Sequence, residues 1–424
     1  MEKSIQAPKS LHFQLPNKTN CVVANVPNAP LTCLDIWCKG GSAFEKEGEE
    51  GLAHFLEHMI FKGSSKLKEG EFDKKIESLG GSSNAATGLD DVHYYALIPP
   101  KHLFTAIDLL SNLVLTPLLN EKSYSLERNV VLEEIAQYKD QPEEQVFQAL
   151  LENCFLNHPY GRSILGFEES LLSRTPEDMR LFHSRQYQPE NMSIGIAGYI
   201  PKNIQEYLNE NLLAKRTSNF CNNKSIKEQS SQLTFSSGRK EIEFPRLESA
   251  RIMMAWSLPP AKDQSSLIGA DIAASLLSEG RNSRLVKHLK EDLRIVESID
   301  IDITSLELSG ILILEAYCLE KDLERVEIEI RQVLKSCLTV PPTKKEMERA
   351  KELVRSSFCF GLELPSNIAS ISASQALWER QQPLLQPLKY LDTWKEVNIK
   401  KEIFAHIQPE NSFTLIAKPS RSIN

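Results

Sequence analysis

Gly51-Leu52-Ala53-His54-Phe55-Leu56-Glu57-His58-Met59-Ile60-Phe61 is the stretch from which the rest of the chain can be read. His54 and His58 are four residues apart, so on a helix both imidazoles lie on one face, and Glu57 shares it. A divalent metal held by two neutral imidazoles with a carboxylate beside it is equipment for activating water. Chance alone would place His-x-x-Glu-His in roughly one chain in a hundred of this length and histidine content. The order is the inverse of the His-Glu-x-x-His zinc helix.

A catalytic zinc takes a third protein ligand and keeps a position open. A helix expected over residues 123–139 offers Glu127, Glu133 and Glu134. Glu127 and Glu134 are seven apart and share a face, flanked by Val130 and Val131. Spacing alone does not choose between Glu133 and Glu134.

The surroundings read as alternating strands and helices. Residues 21–26 and 31–38 are β-rich runs separated by Pro27-Asn28-Ala29-Pro30, which reads as a hairpin of paired strands. The acidic run 45–50 precedes the histidine helix and suits its positive end. Helical periodicity follows at 70–79, 102–115, 142–156 and 176–186, and strands at 92–98 and 192–197. From 215 to 240 the composition turns polar, with Thr217-Ser218-Asn219 and Cys221-Asn222-Asn223-Lys224-Ser225, and reads as a linker.

The second half repeats the first. Gln188-Pro189-Glu190-Asn191 recurs 220 residues on as Gln408-Pro409-Glu410-Asn411, and Trp37 recurs 219 residues on as Trp256. The same offset carries His54, Glu57 and His58 onto Ala273, Leu276 and Leu277, so only the first copy keeps the chemistry. The expected fold class is α+β, with two homologous mixed-sheet/helix domains. The expected division is 1–214 for a zinc-binding domain, 215–240 for a linker and 241–424 for a metal-free homologous domain.

Of 424 residues, 41% are hydrophobic and 25% charged, the balance of a globular protein. A net charge of −8 with no Lys/Arg-rich block argues against nucleic acid as the partner. No apolar run reaches membrane-spanning length, and residues 1–10 carry no apolar signal core. The eight cysteines are scattered without a Cys-x-x-Cys pair and read as buried thiols of a cytoplasmic protein.

Taken together, 51–63, Gly80-Gly81-Ser82-Ser83-Asn84-Ala85-Ala86-Thr87, the run from Glu127-Arg128 to Glu133-Glu134, and His158-Pro159-Tyr160-Gly161-Arg162 with Gly166 resemble the insulinase/pitrilysin-type (M16) zinc metallopeptidases. Within them the chain is similar to the short two-domain branch that includes mitochondrial processing peptidase and its bacterial relatives. The second half matches more loosely, through Asn282-Ser283-Arg284-Leu285.

The resemblance implies a duplicated clamshell of the LuxS/MPP-like metallohydrolase fold and one Zn2+ per chain. His54, His58 and Glu134 would be its ligands, and Glu57 the general base. Glu127 matches a second catalytic carboxylate that supports the site without being a settled ligand. Phe55, Asn84 and Ala85 match substrate-binding positions, the last two on an edge strand where a peptide adds as a further strand. His158–Arg162 reads as a structural turn.

The implied activity is a metalloendopeptidase acting on peptides or extended segments enclosed between the two domains. The other reading is a non-catalytic structural subunit of the same fold. The family's Arg and, seven residues on, Tyr fall here on Lys290 and Glu297; Arg281, Arg284 and Arg294 lie close without matching the spacing. Lys lacks the bidentate fork of Arg, and a carboxylate is no donor at neutral pH. The implied assembly is a homodimer, or a heterodimer with a homologous subunit bearing the Arg/Tyr pair.

Overall fold

The structure is a computed structural model, and it describes residues 8–218, 233–380 and 382–420. Most of the expected linker, 219–232, lies outside the described residues. The chain divides into two compact units. The first holds a six-stranded sheet built from β1 (Lys9–Gln14), β2 (Asn20–Asn25), β3 (Thr32–Cys38), β4 (Ser82–Thr87), β5 (Val92–Ile98) and β6 (Met192–Gly198). Its strand order is β1-β2-β6-β3-β5-β4.

β2 and β3 are therefore not the expected hairpin. β6 lies between them, parallel to β2 and antiparallel to β3. The reason is burial: all seven residues of Met192–Gly198 are buried, as a central strand requires, while Pro27–Pro30 carries the chain past it. Among the described residues β4 forms the far edge and pairs only with β5, Asn84 opposite Tyr95 and Ala85 opposite Tyr94.

The second unit carries β7 (Gly238–Phe244), β8 (Ala250–Leu258), β9 (Ser298–Thr304), β10 (Gly310–Cys318) and β11 (Phe413–Pro419) in the order β7-β11-β8-β10-β9. Its pairing repeats that of the first sheet from β2 onward. One parallel pair, β7 with β11, is followed by antiparallel pairs out to β9. The Gln-Pro-Glu-Asn copies form matching 3-10 turns, Pro189–Asn191 leading into β6 and Pro409–Asn411 just before β11. Ala273, Leu276 and Leu277 are 0%, 1% and 0% exposed on the helix Gln264–Leu277, plain core as expected.

The units do not follow the contiguous division at 214 and 241. Residues 137–161 belong to the second unit and 359–384 to the first. The helix Pro365–Leu377 packs on β2, β3 and β6. Ser193 donates to the Ala373 carbonyl at 2.7 Å and Asn20 to that of Ala376 at 3.1 Å. Reciprocally, the helix Pro142–Cys154 packs on β8 and β11 of the second sheet. There Arg251, 3% exposed, pairs with Glu143 at 2.9 Å and Glu315 at 3.3 Å. A sheet face must be covered, and here the covering helix comes from the other half of the sequence. Among the described residues no helix is long and apolar enough to cross a membrane, and the seven described cysteines are free.

Candidate metal centre

The histidine helix α1 (Leu52–Ile60) is placed by its apolar side. Leu52, Ala53, Phe55, Leu56, Met59 and Ile60 are all buried, which leaves His54, Glu57 and His58 on the less buried face. α1 starts at Gly51, whose φ of 89° is left-handed and glycine-favouring. A Cβ there would meet the Leu165 carbonyl oxygen at 2.4 Å, so the loop ending at Gly166 lies directly on the helix start.

Of the acidic run, Glu45 is the residue that serves the helix terminus. It is 6% exposed and accepts from the Ala53 N–H at 2.7 Å. Burial pushes its carboxyl up to about 8, against two backbone N–H donors. Glu49 and Glu50 turn instead to Arg185 at 2.6 Å and Arg162 at 3.4 Å. Arg162 thus has a structural partner, in keeping with the reading of its motif as a turn.

The glutamates come from the helix Glu121–Lys139, designated α2, which buries Tyr124, Glu127, Val131 and Ile135. One oxygen of Glu134 lies 3.8 Å from Nε2 of His54 and 3.5 Å from Nε2 of His58. Ligand atoms of these three residues all fall within 4.8 Å of one another. Glu133 is exposed and absent from this cluster, so of the two glutamates that spacing left open it is Glu134 that lies beside the histidines.

Glu127 approaches from the other side of the ring, its Oε1 3.0 Å from Nδ1 of His58. It touches His58 through Nδ1 and is not among the three residues of the cluster. The donor set of two imidazoles and a carboxylate suits zinc. Burial and the neighbouring His58 lower His54 to about 4, so at neutral pH the ring is uncharged and keeps one nitrogen free to act as a ligand. His54 Nδ1 is buried and has no hydrogen-bond partner among the described residues.

Glu57 stands beside the cluster and accepts from the Thr87 hydroxyl, on β4, at 2.5 Å. Burial raises its pKa, while the Thr87 hydrogen bond pulls the other way. A pocket of about 290 Å³ opens here, lined by Glu57, His58, Phe61, Lys62, Asp73, Ser83, Asn84 and Glu127. Asn84 is exposed at the edge, and its side-chain oxygen accepts from the Ala85 N–H at 2.9 Å. Ala85 is half-buried against the core.

Phe55 corrects an expectation. It is 0% exposed and packs against Tyr124 at 4.7 Å between ring centres, so it is core and out of reach of a substrate. One residue on from His54, it is turned about 100° round the helix, onto the buried apolar side. Sequence reading also missed Thr87, Lys62 and a histidine–aspartate pair on the sheet. His93 Nδ1 lies 3.1 Å from Asp35 and its ring stacks on Trp37 at 4.5 Å. Burial alone would lower His93, but the Asp35 carboxylate overrides it and the ring is raised. In the second unit Lys290 and Glu297 are exposed, while Arg284 is held by Glu346 at 2.9 Å.

The chain is thus a pair of α+β units, one of which carries a His/His/Glu cluster that could hold a metal ion, with the Glu57 carboxylate beside it. Residues 21–168 match the family described as Insulinase (Peptidase family M16), and residues 173–354 match the Peptidase M16 inactive domain. The chain belongs to peptidase family M16. An uncharacterized zinc protease of Rickettsia felis is 25% identical over 354 residues, covering 82% of this chain and 83% of the relative. A probable mitochondrial-processing peptidase subunit beta of Arabidopsis thaliana is 32% identical over 196 residues, 46% of this chain and 37% of that one. The crystal structure of a protease from Helicobacter pylori superposes with a TM-score of 0.85 at 23% identity, covering 98% of this chain and 100% of that one.

Proposed function

We propose that the chain is a zinc-dependent endopeptidase in which Glu57 is the general base. The observation that carries this reading is the convergence of His54, His58 and Glu134 with the Glu57 carboxylate alongside. Zinc, when bound, supplies Lewis-acid activation of a water and of the scissile carbonyl. The residues supply the rest. His54, His58 and Glu134 are the donors, and Glu127 keeps the His58 ring in place.

The peptide adds to the unpaired edge of β4, beside Asn84 and Ala85, held by main-chain hydrogen bonds. Glu57 accepts a proton from the attacking water as its oxygen bonds to the carbonyl carbon. It returns that proton to the amine nitrogen as the C–N bond breaks. Thr87 holds one oxygen of Glu57, so the base and the substrate-bearing strand share a contact.

The test is zinc content and peptide cleavage of the purified chain, wild type against Glu57→Gln. Bound zinc in both with cleavage only in the wild type is the expected outcome. No zinc and no cleavage from either chain, even with a partner present, would favour a structural subunit. A second reading concerns assembly. Lys290 and Glu297 stand where the resemblance implies Arg and Tyr, and one relative is named as a subunit. The chain is then the zinc-bearing member of a pair, and full activity from the lone chain would exclude that. A cytoplasmic site of action remains part of this proposal.

A further inference from the structure

Past the end of α1, Lys62 reaches back toward the centre. Its Nζ lies 2.6 Å from Oε2 of Glu127, while Oε1 of the same carboxylate lies 3.0 Å from Nδ1 of His58. Glu127 is only 7% exposed, so its charge needs a partner within the protein. Among the described residues lining the adjoining pocket, Lys62 is the only lysine or arginine, facing Glu57, Asp73 and Glu127. A longer ion pair, to the exposed Glu69, spans 4.0 Å.

An imidazole that offers Nε2 to a metal keeps its proton on Nδ1, and the group that accepts from Nδ1 sets both tautomer and ring plane. A carboxylate anchored through one oxygen still swings about its own torsions. Anchored through both, it is a fixed acceptor. We propose that Lys62 is a positioning residue of the metal centre: by holding Oε2 of Glu127 it fixes Oε1 against His58 Nδ1, and so sets the ring from which Nε2 meets zinc. The inference rests on the zinc reading above, but the tautomer it predicts belongs to the metal-free chain as well.

The experiment has two readouts, both on the full chain. The first is zinc affinity by competition with a chromophoric chelator. The second is the 15N spectrum of the His58 ring in the metal-free protein, which reports the tautomer. The variants are Lys62→Met, Lys62→Arg, Glu127→Gln and the double variant Lys62→Met/Glu127→Gln, with Lys62→Gln in reserve should the Met variant fold poorly. Lys62→Met weakens zinc binding about ten- to hundredfold, the usual cost of removing an outer partner. It also mixes the His58 tautomers, and Lys62→Arg recovers most of both effects.

Because Lys62 acts only through Glu127, the double variant is no worse than Glu127→Gln alone. Wild-type affinity and a single Nδ1–H tautomer in Lys62→Met would overturn the proposal, as would losses that multiply in the double variant. If the wild type takes up no zinc, the zinc reading fails, and the tautomer spectra still decide the role of Lys62.

Discussion

The Thr87 hydroxyl donates to Glu57 Oε2 at 2.5 Å, tying the candidate base on α1 to the edge strand β4. Glu57 must be ionised to take a proton, so activity is present above its pKa and lost below it. Burial already raises that pKa, and the Thr87 bond opposes the rise. Thr87→Val therefore moves the acid limb of the pH–rate profile to higher pH and lowers kcat about tenfold, the worth of one hydrogen bond to a charged group. KM stays close to its original value, and Thr87→Ser restores the profile. A pH–rate comparison of the three proteins checks this.

Glu133 and Glu134 give the cleanest separation of ligand from neighbour. Glu134→Gln replaces the carboxylate whose oxygen lies 3.8 Å and 3.5 Å from the two imidazole nitrogens. It lowers zinc affinity by on the order of a hundredfold or more, since even outer partners cost about ten- to hundredfold. Glu133→Gln alters an exposed residue outside the cluster and leaves affinity within about twofold of wild type. Chelator competition measures both.

These contrasts mark what the sequence made legible. His54, Glu57 and His58 stand out because helical geometry is local, and a spacing of three and four residues fixes their common face. Spacing alone left Glu133 and Glu134 open, and the resemblance implied Glu134; bringing its carboxylate to the two imidazoles takes a second helix placed against the first. Thr87 lies 30 residues from Glu57, and strand pairing alone brings it there. The β2–β3 hairpin failed because a short proline-bounded turn is a local signal, whereas β6 enters from about 170 residues away through burial. The exchange of Pro142–Cys154 and Pro365–Leu377 between units left no local mark either, since an apolar helix face does not say which sheet it covers.

Glu45 carries a pH-dependent cost that can be isolated. Its folded pKa is raised to about 8 from an ordinary carboxyl value, so between these limits the folded state binds more protons than the unfolded one. Stability is then fully present at low pH and falls as pH rises through that window toward 8. Glu45→Gln keeps an acceptor for the Ala53 N–H and removes the titration. The difference in unfolding free energy between variant and wild type grows in the variant's favour from pH 5 to 8, by a few kcal/mol. Glu45→Ala instead leaves that buried N–H unpaired and is destabilised by about 1–3 kcal/mol near pH 5. Urea titrations at stepped pH decide between these outcomes.

Gly166 shows how the metal helix is seated. Its φ is 73°, and a Cβ there would meet the Glu50 carbonyl oxygen at 2.3 Å and the Gly51 nitrogen at 2.4 Å. Both obstacles are backbone, at the step where the chain enters α1, so a rotamer change relieves neither. Gly166→Ala adds left-handed strain to a backbone clash and costs roughly 3 kcal/mol or more. Since the displaced segment leads two residues later into α1, the variant also loses zinc affinity, although Gly166 touches no ligand. Gly70→Ala is the control. Its φ of 70° is equally left-handed, but nothing lies within 4 Å of its Cβ position. It is expected to lose about 1–2 kcal/mol from backbone strain alone and to bind zinc as the wild type does. Thermal melts paired with zinc titrations separate strain at a turn from displacement of the helix that holds the metal.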